Sequence, residues 1–135
     1  MSAGRRCGLL IFETDASVRD YCAVVASDLG CDLYSTAYVD NHAKIIREFA
    51  PSGLIIDVKL LSGNGEDMLE AAANSVPDTR VLLLAGDDRQ QTRAAEARAA
   101  SLGLFVDGVL TRPVSFEQLE TFLNATAARI SCSKD

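Results

Sequence analysis

The chain has 135 residues, 48% apolar and 24% charged, with no tryptophan and a formal charge of −6. A chain of this length buries roughly two-thirds of its unfolded surface, enough for one proper core and cramped for two. Thirteen Lys and Arg against nineteen Asp and Glu argue against a nucleic-acid binder, because affinity for phosphate backbones needs clustered positive charge.

Gly8-Leu9-Leu10-Ile11-Phe12 is a continuous apolar run too short for a helix, the pattern of a strand buried on both faces of a parallel sheet. Val18, Cys22, Val25 and Leu29 follow at helical spacing, opened by Asp15 as N-cap and closed by Gly30. A weaker strand, Asp32 to Ala37, precedes a helix marked by Ile45, Ile46 and Phe49, which starts after Asp40 and stops before Pro51. Gly53-Leu54-Ile55-Ile56 is the third strand, and Met68, Leu69, Ala72 and Val76 mark a helix from Asn64 to Pro77. The fourth strand is Val81 to Ala85; the helix after it, about 88–101, is alanine-rich and faintly amphipathic, so its packing should be the loosest. The fifth strand runs from Leu104 to Leu110. Ser115-Phe116-Glu117-Gln118 is a capping box for the last helix, with Val114 and Leu119 placed as its hydrophobic staple. Five βα units in strict alternation, with right-handed crossovers, predict an α/β protein: a five-stranded parallel sheet with helices on both faces. Residues 1–135 form a single domain, its core about 7–128 and its tail, 129–135, polar.

Cys7, Cys22, Cys31 and Cys132 show no Cys-x-x-Cys spacing, and a core-rich chain of this length needs no disulfide framework. Cys7 and Cys22 lie in apolar patterns and read as free cysteines acting as small hydrophobes. A single histidine, His42, makes no ligand set for a transition metal. No apolar run approaches the ~18 residues of a membrane span, and the N-terminus lacks a signal peptide's apolar stretch. Arg5-Arg6 reads as a solvated flank of the first strand. A cytoplasmic location, with no membrane contact, is expected.

Open α/β sheets bind ligands outside the carboxyl ends of their strands. Strand one ends in Glu13-Thr14-Asp15, strand three in Asp57, strand four in Ala85-Gly86-Asp87-Asp88 and strand five in Thr111-Arg112-Pro113. Glu13, Asp57 and Arg112 would therefore converge. Two facing carboxylates repel unless one is protonated or a cation sits between them, and their hard oxygens favour Mg²⁺. A carboxylate beside such an ion and a fixed positive side chain can attack a phosphoryl group, the cations stabilising the transferred charge. Ser62-Gly63-Asn64-Gly65 lacks the spacing of a phosphate-binding loop and reads as a plain turn. Asp87 and Asp88 read as solvated acids complementing a helix dipole.

From about Cys7 to Ala128 the chain resembles the receiver domain of two-component response regulators. The matching features are the acidic turn followed by Ser17-Val18-Arg19, the apolar strand ending in Asp57, Gly65 eight residues on, and Arg112-Pro113 before a capped helix. The resemblance implies a flavodoxin-like (βα)5 fold and a regulatory role in a phosphorelay rather than an enzyme. It makes Asp57 the phosphoacceptor, and a histidine kinase or phosphotransfer protein the donor. It also implies a Mg²⁺ site formed by Glu13, Asp57 and the backbone carbonyl of Lys59. The output would be a fused or separate domain, regulated through the face formed by the fourth helix, fifth strand and fifth helix, which also offers a homodimer contact.

Against that family pattern several positions are altered. The second acid of the first turn, which contacts Mg²⁺ directly, is Thr14, a neutral and weaker ligand, so Mg²⁺ binding should be weak or absent. The phosphate-contacting lysine is Arg112, whose planar fork cannot present its charge as a compact ammonium does; a bidentate ion pair with Asp57 or Glu13 would close the pocket without phosphate. The switch hydroxyl is replaced by Ala85 and the switch aromatic by Val109. Leu102 to Leu110 is about two residues longer than usual and resembles receivers fused to EAL-type cyclic-di-GMP phosphodiesterases. Three readings follow: an atypical receiver, a phosphorylation-independent interaction module, and a small phosphohydrolase with Asp57 or Asp15 as nucleophile. A flavodoxin-type cofactor binder is disfavoured, because Glu-Thr-Asp-Ala after strand one does not suit a phosphate.

Overall fold

The computed structural model describes residues 7–37, 40–61, 68–76 and 78–133. Five parallel strands form one sheet in the order β2-β1-β3-β4-β5: β1 Gly8–Phe12, β2 Asp32–Thr36, β3 Gly53–Asp57, β4 Arg80–Ala85 and β5 Phe105–Thr111. The helices are α1 Ala16–Leu29, α2 His42–Phe49, α3 Met68–Ser75, α4 Arg89–Ser101 and α5 Phe116–Ser133, with a 3-10 turn over Val58–Leu61. The doubly wound parallel sheet expected from the sequence is present. The expected starts and stops at Asn64 and Pro77, the turn Ser62–Gly65 and Arg5-Arg6 lie outside the described residues.

Alternation along the strands divides the core in two. Leu10, Phe12, Leu54, Ile56, Val81 and Leu83 face Ile46 of α2, Met68, Leu69 and Ala72 of α3, and Ala95 and Ala99 of α4. Leu9, Ile11, Ile55, Leu82 and Leu84 face Val18, Cys22 and Val25 of α1, and Leu119, Phe122 and Leu123 of α5. All five residues of β3 are buried, which is why it reads as an unbroken apolar run. At its start a Cβ on Gly53 would lie 2.9 Å from Leu9 Cδ2 and 3.1 Å from Thr126 Cγ2, so glycine there lets α5 close on the sheet.

Caps set several helix ends. Asp15 Oδ1 accepts from the Ser17 amide at 2.8 Å, and Gly30, at φ 71°, ends α1 in the left-handed conformation. Asp88 caps α4 through the Gln91 amide at 3.0 Å. The capping box of α5 closes both ways, the Gln118 amide donating to Ser115 Oγ at 3.1 Å and the Ser115 amide to Gln118 Oε1 at 3.4 Å. With no Gly or Pro after Phe116, α5 runs on to Ser133, through the start of the expected polar tail. α4 buries only Ala95 and Ala99, consistent with its weak apolar stripe.

Two expectations need correction. β5 is not buried on both faces: it is an edge strand, half-buried along most of its length, with Phe105 52% exposed beneath the Arg80 guanidinium, 4.8 Å from the ring centre. Its register against β4 shifts between Val81 and Leu82, whose partners are Val106 and Gly108, so Asp107 is the extra residue of a bulge. That side chain pairs with Arg80 at 2.7 Å. Cys7, read as a free thiol, is instead joined to Cys31 by a disulfide. The cause is the parallel register: Gly8 sits opposite Asp32, so the residues just before them meet, with Cα atoms 4.7 Å apart. Cys22 remains a buried free thiol, as expected.

Candidate functional site

β1, β3 and β5 bring Glu13, Asp57 and Arg112 together at the carboxyl ends of the strands. Glu13 follows the last residue of β1, and its amide donates to the Thr36 carbonyl at 3.0 Å, prolonging the ladder with β2. Its side chain is fully buried. Asp57 is the last residue of β3 and 1% exposed. Arg112 is anchored by its own amide, which donates to the Ala85 carbonyl at 2.9 Å. The Arg112-Pro113 peptide bond is cis.

Arg112 Nη2 donates to Glu13 Oε1 and, at 3.0 Å, to Asp57 Oδ2. The guanidinium thus sits between the two buried acids, as a cation must if both are to stay ionised. Each acid has a second partner: the Asp15 amide donates to Glu13 Oε2 at 2.8 Å, and the Lys59 amide to Asp57 Oδ1 at 3.0 Å. Burial alone would lower the proton affinity of Arg112. The hydrogen bond and charge of Glu13, followed by the charge and hydrogen bond of Asp57, outweigh it and hold the guanidinium above its ordinary pKa. Across the inner face of α1, the Cys22 thiol is pushed up to about 12, first by burial and then by the nearby charge of Glu13.

The other predicted positions fall around this cluster. Thr14 is exposed. Lys59 lies in the 3-10 turn after β3. Ala85 ends β4 and is buried, and Val109 is half-buried opposite Leu83. Both line a cavity of about 380 Å³ between β4, α4 and β5, together with Gly86, Thr92, Arg93 and Thr111. Asp87 is exposed, and Asp88 is the helix cap. The sequence reading missed the part played by Asp15. Its backbone clamps Glu13 while its carboxylate caps α1 and lies 3.9 Å from Arg112 Nη1. The Asp-x-Ser spacing of a cap was the available signal.

The donor set does not suit Mg²⁺ in this arrangement. The two buried carboxylates are spent on a guanidinium, and Asp15, the other acid of the turn after β1, is a helix cap. Among the described residues no group of three or more His, Cys, Asp or Glu could hold a metal ion.

No protein-family model matches the chain, and no curated protein does. Solved structures do. The receiver domain of AraT, a response regulator from Geobacillus stearothermophilus, superposes with a TM-score of 0.76 at 13% identity over 97% of this chain and 100% of that one. A response regulator from Colwellia psychrerythraea gives 0.71 at 19% identity, covering 93% and 99%. NtrX from Brucella abortus gives 0.69 at 18% identity, over 96% of this chain but 28% of that longer one. Neighbours of this kind, together with the strand order and the carboxyl-end acid cluster, show that the chain has the flavodoxin-like fold of response-regulator receiver domains.

Proposed function

We propose that the chain is a signal-receiver domain of the atypical kind, with Asp57 at the phosphoacceptor position and Arg112 holding that position closed. The observation that carries this reading is the guanidinium bridging Glu13 and Asp57. A carboxylate that is to attack phosphorus needs a free oxygen, and a cation free to take up the transferred charge. Here both oxygens of Asp57 accept hydrogen bonds, and among the described residues the guanidinium bonded to it is already shared with Glu13. Mg²⁺ binding is weak for the same reason. A phosphoryl group arriving at Asp57 would find no hydroxyl at Ala85 and no ring at Val109 to carry the change outward.

The domain therefore acts as a regulatory interaction module rather than an enzyme. Its surface of α4, β5 and α5 faces an output domain or a second copy, and a histidine kinase or phosphotransfer protein is the partner at the acid site. The longer approach to β5 favours an EAL-type phosphodiesterase as output, and the match to 28% of the NtrX chain is an instance of this fold within a longer protein. The phosphohydrolase reading is weaker, because Asp15, its alternative nucleophile, spends its carboxylate as the α1 cap.

Intact-mass measurement after incubation with Mg²⁺ and a small phosphodonor tests this reading. Wild type should carry no stable adduct, while Arg112→Lys should acquire one that is lost in Arg112→Lys/Asp57→Asn. A stoichiometric, Asp57-dependent adduct on wild type would overturn the closed-site reading.

A further inference from the structure

We propose that Cys7 and Cys31 form a reversible thiol–disulfide site, through which the domain responds to the redox state of dithiol reductants. The placement rests on backbone geometry. Gly8 and Asp32 are register partners at the starts of β1 and β2, and parallel partners present their side chains to the same face. The preceding pair, Cys7 and Cys31, consequently meets on the α1 side of the sheet, both packed against the core that α1 and α5 cover. Their Cα separation of 4.7 Å lies within the range that a disulfide spans without backbone movement. The Asp32 amide donates to the Cys7 carbonyl at 2.8 Å, so the two chain segments stay apposed by main-chain bonds when the sulfurs part.

Two further observations make the pair a switchable site rather than a structural staple. The fold does not need the bond, because two apolar cores already hold the sheet between its helices. Small domains that depend on disulfides lack such cores. Both cysteines are also half-buried rather than sealed, whereas Cys22 is fully buried. The site lies at the amino end of the sheet, opposite Glu13 and Asp57, and is separate from any chemistry at the acid site. The bond closes a loop containing α1. Cys31 follows the Gly30 cap at one end of that helix, and Asp15, whose amide holds Glu13, caps the other.

The exchange balances with a dithiol as partner. One thiolate of the dithiol attacks Sγ of Cys7 or Cys31, breaking the protein disulfide and forming a mixed disulfide with release of one protein thiolate. The second thiol of the reagent displaces the other cysteine. Two electrons and two protons pass to the protein, which leaves as a dithiol while the reagent becomes a disulfide.

The test is to equilibrate the folded chain with graded ratios of reduced to oxidised dithiothreitol, quench in denaturant with an alkylating agent, and measure intact mass. With four cysteines in the chain, the reduced form should take up four alkyl groups and the oxidised form two. The change should be complete and reversible under native conditions, and Cys7→Ser should take up three at every ratio. Cys31→Ala serves the same purpose if Cys7→Ser does not fold. Four groups at every ratio would show that no bond forms, and two at every ratio that it is beyond reach of a dithiol. Either outcome overturns the proposal, and neither bears on Arg112.

Discussion

Arg112 has little in common with an ordinary surface arginine, because its guanidinium is the counter-charge of two carboxylates that have almost no contact with water. Taking one partner out of a buried ionic cluster costs about 3–5 kcal/mol, since the charges left behind are uncompensated. Arg112→Ala should lower the stability measured by urea unfolding by about that amount. Millimolar Mg²⁺ should restore part of the loss, because the vacated acids then face each other as a hard-oxygen pair. Equal Mg²⁺ responses from variant and wild type would count against the cation-gap account. Cys22 supports a second residue-level prediction. Burial holds its folded pKa at about 12, above the ordinary thiol value of 9.0, so between those limits the unfolded thiol ionises while the folded one stays protonated. Stability is therefore unaffected below pH 9 and falls as pH rises above it, by at most about 1.4 kcal/mol per unit. Cys22→Ala should show a shallower decline over that window, and parallel curves would refute the assignment. Glu13, Asp57 and Arg112 were legible because each is the chemical residue at the end of an apolar run. Asp15 was not, because its contribution to the site is a backbone amide turned back by its own cap.

Among the elements, the helices with strong local signals matched their predicted starts. The capping box at Ser115 and the Asp15 and Gly30 ends of α1 are side-chain or φ requirements written in a few adjacent residues. Ser115→Ala should cost about 1 kcal/mol, read as a lower urea midpoint, by leaving the Gln118 amide without its acceptor. A loss close to zero would mean that Gln118 or water takes over the cap. α2 has weaker signals: Asn41 precedes it at φ 62° without a side-chain cap bond, and it ends on Ala50 at φ 50°. An alanine in that region is disfavoured, and here a local preference gives way to the tertiary need to reach Pro51 and β3. β5 was mistaken for a buried strand because its composition is that of one. Edge position is a property of strand order, which no window of sequence contains.

Seen as a whole molecule, the alternation of five strands with five helices already implied the parallel sheet and its two coverings. The disulfide was invisible at that level, since Cys7 and Cys31 are 24 positions apart and become neighbours only once β1 and β2 are in register. The bulge at Asp107 has a consequence of the same long-range kind, because it acts as a phase correction. In a regular strand Val106 and Val109 would point to opposite faces, yet both pack on the α2–α3–α4 side, while Leu110 packs on the α1–α5 side. One surplus residue thus resets the parity of everything that follows, including the position from which Arg112 leaves the sheet. Deleting Asp107 should be no more damaging than Asp107→Ala. Both variants lose the ion pair with Arg80, and the deletion leaves Val106 and Gly108 as consecutive partners of Val81 and Leu82, so Val109, Leu110 and Arg112 keep their places. A much lower unfolding midpoint for the deletion would show that the bulge itself, and not only the register it preserves, holds the strand in place. A one-residue frameshift in side-chain direction, placed five positions upstream, is how a strand one residue too long still delivers Arg112 to the acid pair.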